Sequence, residues 1–147
     1  MIETDSEIFF MHHKTFPAHL NHLHEMLTFI QKYGQKKRVE SSILNKIILA
    51  AEEAIVNIIN YGYPNQKGKI EVSCQEYHDK KGLKIQIKDH GIPFDPTIQS
   101  FMLDQQQLPK EVGELGGYGI HIFVGIMDRV EYQRLEEGNL LSLIKYF

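Results

Sequence analysis

The sequence predicts an α/β protein: a mixed, mostly antiparallel sheet with its helices packed on one face. Three observations carry that expectation. Leu83, Ile85 and Ile87 alternate with Lys84, Gln86 and Lys88, as in a strand with one face on helices and one in water. Two pairs of strand-like segments, 69–77 with 83–88 and 128–136 with 139–147, are joined by short connections, 78–82 and Glu137-Gly138, as hairpins are. Between residues 46 and 64, KIILAAEEAIVNIINYGYP follows a helical period.

Length and composition bound the answer further. The 147 residues suffice for one domain with a real core, spanning 1–147, and not comfortably for two. Hydrophobic residues make up 42% and charged residues 24%, as in an ordinary soluble globular protein. A net charge of -3 gives no basic footprint for nucleic acid. No apolar run approaches the roughly 20 residues that span a membrane. The N-terminus, MIETDSEIFF, has acids where a signal peptide carries positive charge. Cys74 is alone, which excludes a disulfide framework or a cysteine metal site. The expected location is the cytoplasm.

The elements then follow in chain order. Residues 6–17 read as a first strand, with Ile8, Phe9, Phe10 and Met11 leading to Thr15 and Phe16. Pro17 opens a helix at a position that proline tolerates. Leu20, Leu23, Leu27 and Ile30 give this helix an apolar stripe, and Gly34 ends it. The region also holds His12, His13, His19, His22 and His24. His19 and His22 share a face, but no acidic partner is expected in the same turn, so these read as scattered surface histidines. Lys36, Lys37 and Arg38 read as a solvated basic loop.

The central helix sorts its side chains sharply. At about 100° per residue, Lys46, Glu53, Asn57 and Asn60 fall within a wedge of roughly 60°, and Ile47, Ile48, Ala51, Ala54, Ile55, Ile58 and Ile59 cover most of the rest. A narrow stripe of amide and carboxylate fits a buried helix whose polar groups line a cavity, and equally an amphipathic helix with a solvated Glu/Asn face. Glu53 and Asn57, at i,i+4, project side by side. The carboxylate is able to take a proton from a hydroxyl nucleophile, and the amide oxygen to join a magnesium shell.

Beyond the hairpin strands, the second ends on Asp89-His90-Gly91-Ile92-Pro93-Phe94-Asp95-Pro96. Asp89 is placed to accept from an exocyclic amine and Gly91 to let a flat ring near the backbone; a tight turn with an aspartate cap fits the same residues. Residues 97–115 lack a sustained period and read as a functional lid. Gly116-Gly117-Tyr118-Gly119 then runs into the helical pattern Ile120, Phe123, Val124, Met127. Glycines there expose backbone N–H groups to phosphate, although neither the P-loop nor the dinucleotide fingerprint is present.

Taken in order, E-x-x-x-N on a helix, D-x-G-x-x-F-D-P at a strand end, a lid and G-G-x-G at a second helix resemble the Bergerat-type (GHKL) ATP-binding superfamily of gyrase, heat-shock chaperones and histidine kinases. The phrases AAEEAIVNIINYGYP, IKDHGIPFDP and GGYGIHIFVGIMDRVEY are similar to those of the small anti-sigma-factor serine/threonine kinases, over nearly the whole chain. Only about one strand and one helix precede the central helix, so a histidine kinase's phospho-accepting hairpin is expected to need another chain. The further domains of gyrase-type machines are likewise not expected.

The resemblance implies a Bergerat fold, ATP as phosphate donor and Mg2+. It makes Glu53 the general base and Asn57 the magnesium ligand. Asp89 would read the adenine amino group, with Gly91 making room for the ring and Phe94 beside it. Gly116, Gly117, Tyr118 and Gly119 would wrap the triphosphate, with Lys110 in the lid as the candidate phosphate-contacting cation. Tyr61 stands where the pattern often has histidine. The implied activity is that of an anti-sigma factor that phosphorylates a serine on a small (STAS-type) anti-anti-sigma protein and switches between it and a sigma factor. A regulatory module that binds ATP or ADP and sequesters a partner is the alternative. A homodimer through the first strand and residues 17–34 is also implied.

Overall fold

Inward-facing apolar residues at every second position build the sheet. The structure is a computed structural model and describes residues 11–63, 67–77, 81–95 and 125–147. Five strands form one sheet: β1 (Met11–Pro17), β2 (Lys69–Glu76), β3 (Gly82–Asp89), β4 (Arg129–Leu135) and β5 (Gly138–Tyr146). Their order is β1-β2-β3-β5-β4, and every pairing among these described strands is antiparallel. The strand bounds expected from the sequence agree to within one residue for β2 through β5; residues 6–10 of the expected first strand lie outside the described residues.

Two helices, α1 (Leu23–Lys36) and α2 (Ser41–Asn57), cover one face. Met26 and Ile30 of α1 and Ile47, Ala51, Ala54 and Ile55 of α2 are fully buried with Phe16, Val72, Ile85, Ile87 and Leu143 of the sheet in a single core. On the other face, Lys84, Gln86 and Lys88 are half-exposed, and Gln86 Nε2 donates to Ser142 Oγ at 3.1 Å. The two-layer α/β fold expected from the sequence is therefore the fold observed.

Several local expectations are corrected. Pro17 closes β1, pairing with Lys69, because the Phe16–Ile70 pair carries the sheet through it. The chain turns helical only at a short 3-10 segment, Leu20–His22, capped by His19, whose Nδ1 accepts from the Asn21 N–H at 3.0 Å. Gly34 lies inside α1 and does not end it. A Cβ there would stand 2.4 Å from Leu44 Cδ1, so the glycine sets how closely α1 and α2 approach. Arg38 takes the left-handed backbone, at φ 61°, that a glycine commonly supplies beyond a helix end.

Side-chain pairings also differ from expectation. Lys37 is held at 3.0 Å from Glu76 and lies over the Tyr33 ring, so it is not merely solvated. His22 does have an acidic partner, Glu25 at 3.1 Å. The described residues contain no cluster able to hold a metal through histidine, cysteine and carboxylates. Of the α1 stripe, Ile30 is buried and Leu23 and Leu27 pack on the protein's own core, while Leu20 stays 41% exposed. Among the described residues no helix is long and apolar enough to cross a membrane.

Candidate functional site

The central helix differs from its expected bounds in a way that shapes the site. Alanine and glutamate in Ala50-Ala51-Glu52-Glu53-Ala54 favour the helix, which starts at Ser41, earlier than the apolar pattern indicates. After Asn57 it widens into a π-turn, Ile58–Gly62. Such turns recur at functional sites because they redirect the helix face.

Asn57 is fully buried. Its Nδ2 donates to the Glu53 backbone oxygen at 2.7 Å, which fixes the amide's orientation and turns Oδ1 the other way. That Oδ1 is buried and has no hydrogen-bond partner among the described residues. A buried amide oxygen left unpaired is costly, unless something beyond the described residues coordinates it. Oxygen donors suit Mg2+, so the amide fits the ion the resemblance implies. Glu53, one turn earlier, is half-buried. Burial first, and the neighbouring Glu52 charge second, push its carboxyl above the ordinary glutamate value. A raised carboxyl pKa improves a general base near neutral pH.

The Asp89 end is built from three elements. Asp89 is buried and directly paired with Asn139 across β3 and β5. Its Oδ1 accepts from the Gly91 N–H at 2.8 Å and from Asn139 Nδ2 at 2.9 Å. Both bonds fall on one oxygen, and Oδ2 has no hydrogen-bond partner among the described residues. Burial raises the Asp89 carboxyl, and the bonds from Asn139 and Gly91 pull it partly back. Asn139 also donates to Ile92 O at 2.9 Å. Its Oδ1 accepts from the Tyr132 hydroxyl, and from Phe94 N–H at 3.4 Å. Arg134 Nη1 donates to Gly91 O at 3.1 Å. A cleft of about 380 Å³, lined in part by Lys88, Asp89, His90 and Gly138, opens beside this turn.

The π-turn that follows Asn57 meets the Asp89 turn directly. The Ile92 N–H donates to Gly62 O at 3.1 Å. A Cβ on Gly91 would stand 2.3 Å from that same Gly62 oxygen, so packing alone demands glycine there. Phe94 is buried, and its ring lies 5.5 Å from that of Tyr61, which remains 40% exposed. Lys110, Gly116, Gly117, Tyr118 and Gly119 lie outside the described residues.

Sequence reasoning missed Asn139, Arg134 and Tyr63. Asn139 carried a readable signal: it shares the inward face of β5 with Leu141 and Leu143, and a polar residue on a core-facing register needs a buried partner. Arg134 lies on an edge strand among other exposed charges and carried none.

A model of the histidine kinase-like ATPase domain matches residues 16–145. The chain belongs to that family. Within it, the chain is 30% identical over 105 residues to the serine-protein kinase RsbW of Listeria innocua serovar 6a, covering 67% of this chain and 62% of that protein. It is 27% identical over 100 residues to RsbW of Bacillus cereus, covering 67% of this chain and 61% of that protein. The chain thus spans under two thirds of the length of these relatives. Two crystal structures share the fold of this histidine kinase-like ATPase domain. The SiaB–SiaC complex from Pseudomonas aeruginosa aligns with a TM-score of 0.67 at 12% identity, over 98% of this chain and 94% of that one. The RsbU and RsbW domains of Rv1364c from Mycobacterium tuberculosis align at 0.65 and 15%, over 92% of this chain and 32% of that one.

Proposed function

We propose that the chain is an ATP-dependent serine/threonine kinase that acts as an anti-sigma factor and phosphorylates a serine on a small anti-anti-sigma protein. The observation that carries this reading is the buried Asn57 Oδ1, unpaired among the described residues, one helical turn from a carboxylate whose pKa is raised. The family membership and the relatives named serine-protein kinase support it.

In this reading Asp89 accepts from the adenine amino group through Oδ2, Phe94 flanks the base, and Gly116, Gly117, Tyr118, Gly119 and Lys110 take the phosphates. Asn57 holds Mg2+ through Oδ1. The ion, when bound, neutralises charge on the phosphate oxygens. Glu53 orients the serine hydroxyl and takes its proton as the serine oxygen bonds to the γ-phosphorus. The bond from that phosphorus to the bridging oxygen breaks, and ADP leaves with the electron pair. The added phosphate brings about two negative charges at neutral pH. Against an acidic or apolar contact these charges break the complex and free the kinase for its sigma factor. A homodimer across β1 and residues 17–34, where Leu20 is left exposed, completes the proposed assembly.

The test is transfer of labelled γ-phosphate from ATP to a serine-bearing antagonist encoded near the chain's own gene, with Asn57→Ala as control. The native protein should transfer phosphate only with Mg2+, and Asn57→Ala should lose both transfer and Mg2+-dependent ADP binding. Tight nucleotide binding without transfer to any antagonist would favour the sequestering module. No Mg2+-dependent nucleotide binding would overturn both.

A further inference from the structure

Tyr63 takes no part in the chemistry above, yet its hydroxyl is buried where the end of α2 meets the Asp89 turn. The oxygen accepts from the His90 N–H at 2.6 Å and donates to Lys69 O at 2.7 Å. His90 directly follows Asp89, and Lys69 opens β2 one residue before Ile70, the cross-strand partner of Asp89. The ring is buried as well. Gly68, at φ +143°, passes so close that a Cβ would stand 2.3 Å from Tyr63 Cε1.

We infer that Tyr63 is a positioning residue for base selectivity: its hydroxyl sets the angle at which the Asp89 turn leaves β3 relative to the metal-bearing helix. This deepens the nucleotide reading and rests on it. The turn is held from two sides. Asn139 and Arg134 hold it from the β4–β5 hairpin through Asp89 Oδ1, Ile92 O and Gly91 O. Tyr63 and Gly62 hold it from the helix through His90 N–H and Ile92 N–H. The hairpin side fixes which carboxylate oxygen is engaged, and the helix side fixes where the other one points. A hydroxyl is able to donate and accept at once, so it bridges the sheet and the turn as a phenyl ring of the same shape does not. Adenine offers a donor at its exocyclic nitrogen, whereas guanine offers an oxygen that repels a carboxylate. Selectivity therefore depends on the aim of Asp89 Oδ2, and misaim costs adenine its bond without helping guanine.

The experiment is Tyr63→Phe, with ADP, GDP and magnesium triphosphate titrated calorimetrically into native and variant protein. Losing one well-made hydrogen bond corresponds to about tenfold in affinity. ADP binding should weaken by about that factor while GDP and triphosphate binding stay put, so the ADP-to-GDP ratio falls about tenfold. A purely structural role would weaken all three alike or lower only the melting temperature, and either result overturns the inference. If Tyr63→Phe does not fold, amide exchange at His90 in the native protein decides. Slower exchange with ADP than with GDP supports the inference, and equal exchange overturns it. A native protein that binds no ADP would overturn the nucleotide reading and this inference together, whereas native binding with an unchanged ratio in the variant overturns the inference alone.

Discussion

Asn139 and Asp89 face each other across β3 and β5, with Asn139 Nδ2 2.9 Å from Asp89 Oδ1. The bond decides what an amide at position 89 would do. Asp89→Asn keeps an Oδ1 that accepts from Asn139 and Gly91, and it turns a donor toward the ligand in place of Oδ2. Two donors then meet at the adenine amine, so ADP affinity should drop at least about tenfold by calorimetry.

Stability should respond differently. Burial raises the Asp89 carboxyl above its ordinary value of 3.8, so the folded chain holds that proton more tightly than the unfolded chain does. Its contribution is present below pH 3.8 and is lost as pH rises through the folded value. Above that window a buried charge opposes folding, and an amide avoids it. Asp89→Asn should therefore melt no lower than the native protein at pH 7, which a pair of thermal scans would check. A drop of several degrees would mean that the charge itself holds the turn.

Gly91 separates packing from ligand accommodation. The sequence pattern assigns it to making room for a flat ring, but Gly62 O already forbids a Cβ at 2.3 Å. That neighbour is backbone, tied to the Ile92 N–H, and does not yield as a side-chain tip does. Gly91→Ala should cost about 1–3 kcal/mol with no nucleotide present, read as a lower urea midpoint. If the midpoint holds and only ADP binding falls, the glycine serves the ligand instead.

The parts of the fold legible in the sequence were those set by period. Leu83, Ile85 and Ile87 announced β3, and the isoleucine and alanine spacing announced α2, because burial on one face leaves a regular trace. Glu53 and Asn57 were legible as a pair for the same reason. Helix ends were less so: Gly34 reads as a stop, yet it is required by Leu44, a residue ten positions away that only tertiary packing brings near. Pro17 reads as a helix opener, but the Phe16–Ile70 pairing holds it in the sheet. The support behind Asp89 was the least legible. Asn139 and Tyr63 lie 50 and 26 positions from it; the β5 alternation marks Asn139 as a buried polar residue but does not name its partner, and no local pattern encodes the bonds of Tyr63.

Glu53 carries the last prediction. Its carboxyl must be ionised to take a proton, and burial with Glu52 places its pKa above 4.5. Phosphotransfer should therefore fall on the acid side with a midpoint above that value. Glu52→Gln removes the second cause and leaves the first, so the midpoint should shift down while the rate at neutral pH is kept. Glu53→Gln should lower the rate by about 10²–10⁴-fold and keep ADP affinity within about threefold, because in the proposed reaction Glu53 acts on the hydroxyl and not on the nucleotide. Unfolding does not explain the acid limb through this group. A carboxyl raised in the folded state adds stability as pH falls and loses it as pH rises through the folded value. Stopped-time transfer assays across pH, with tryptic resistance measured in parallel, distinguish the two. A native rate in Glu53→Gln would remove Glu53 as the base, and an unmoved midpoint in Glu52→Gln would show that the Glu52 charge does not reach it.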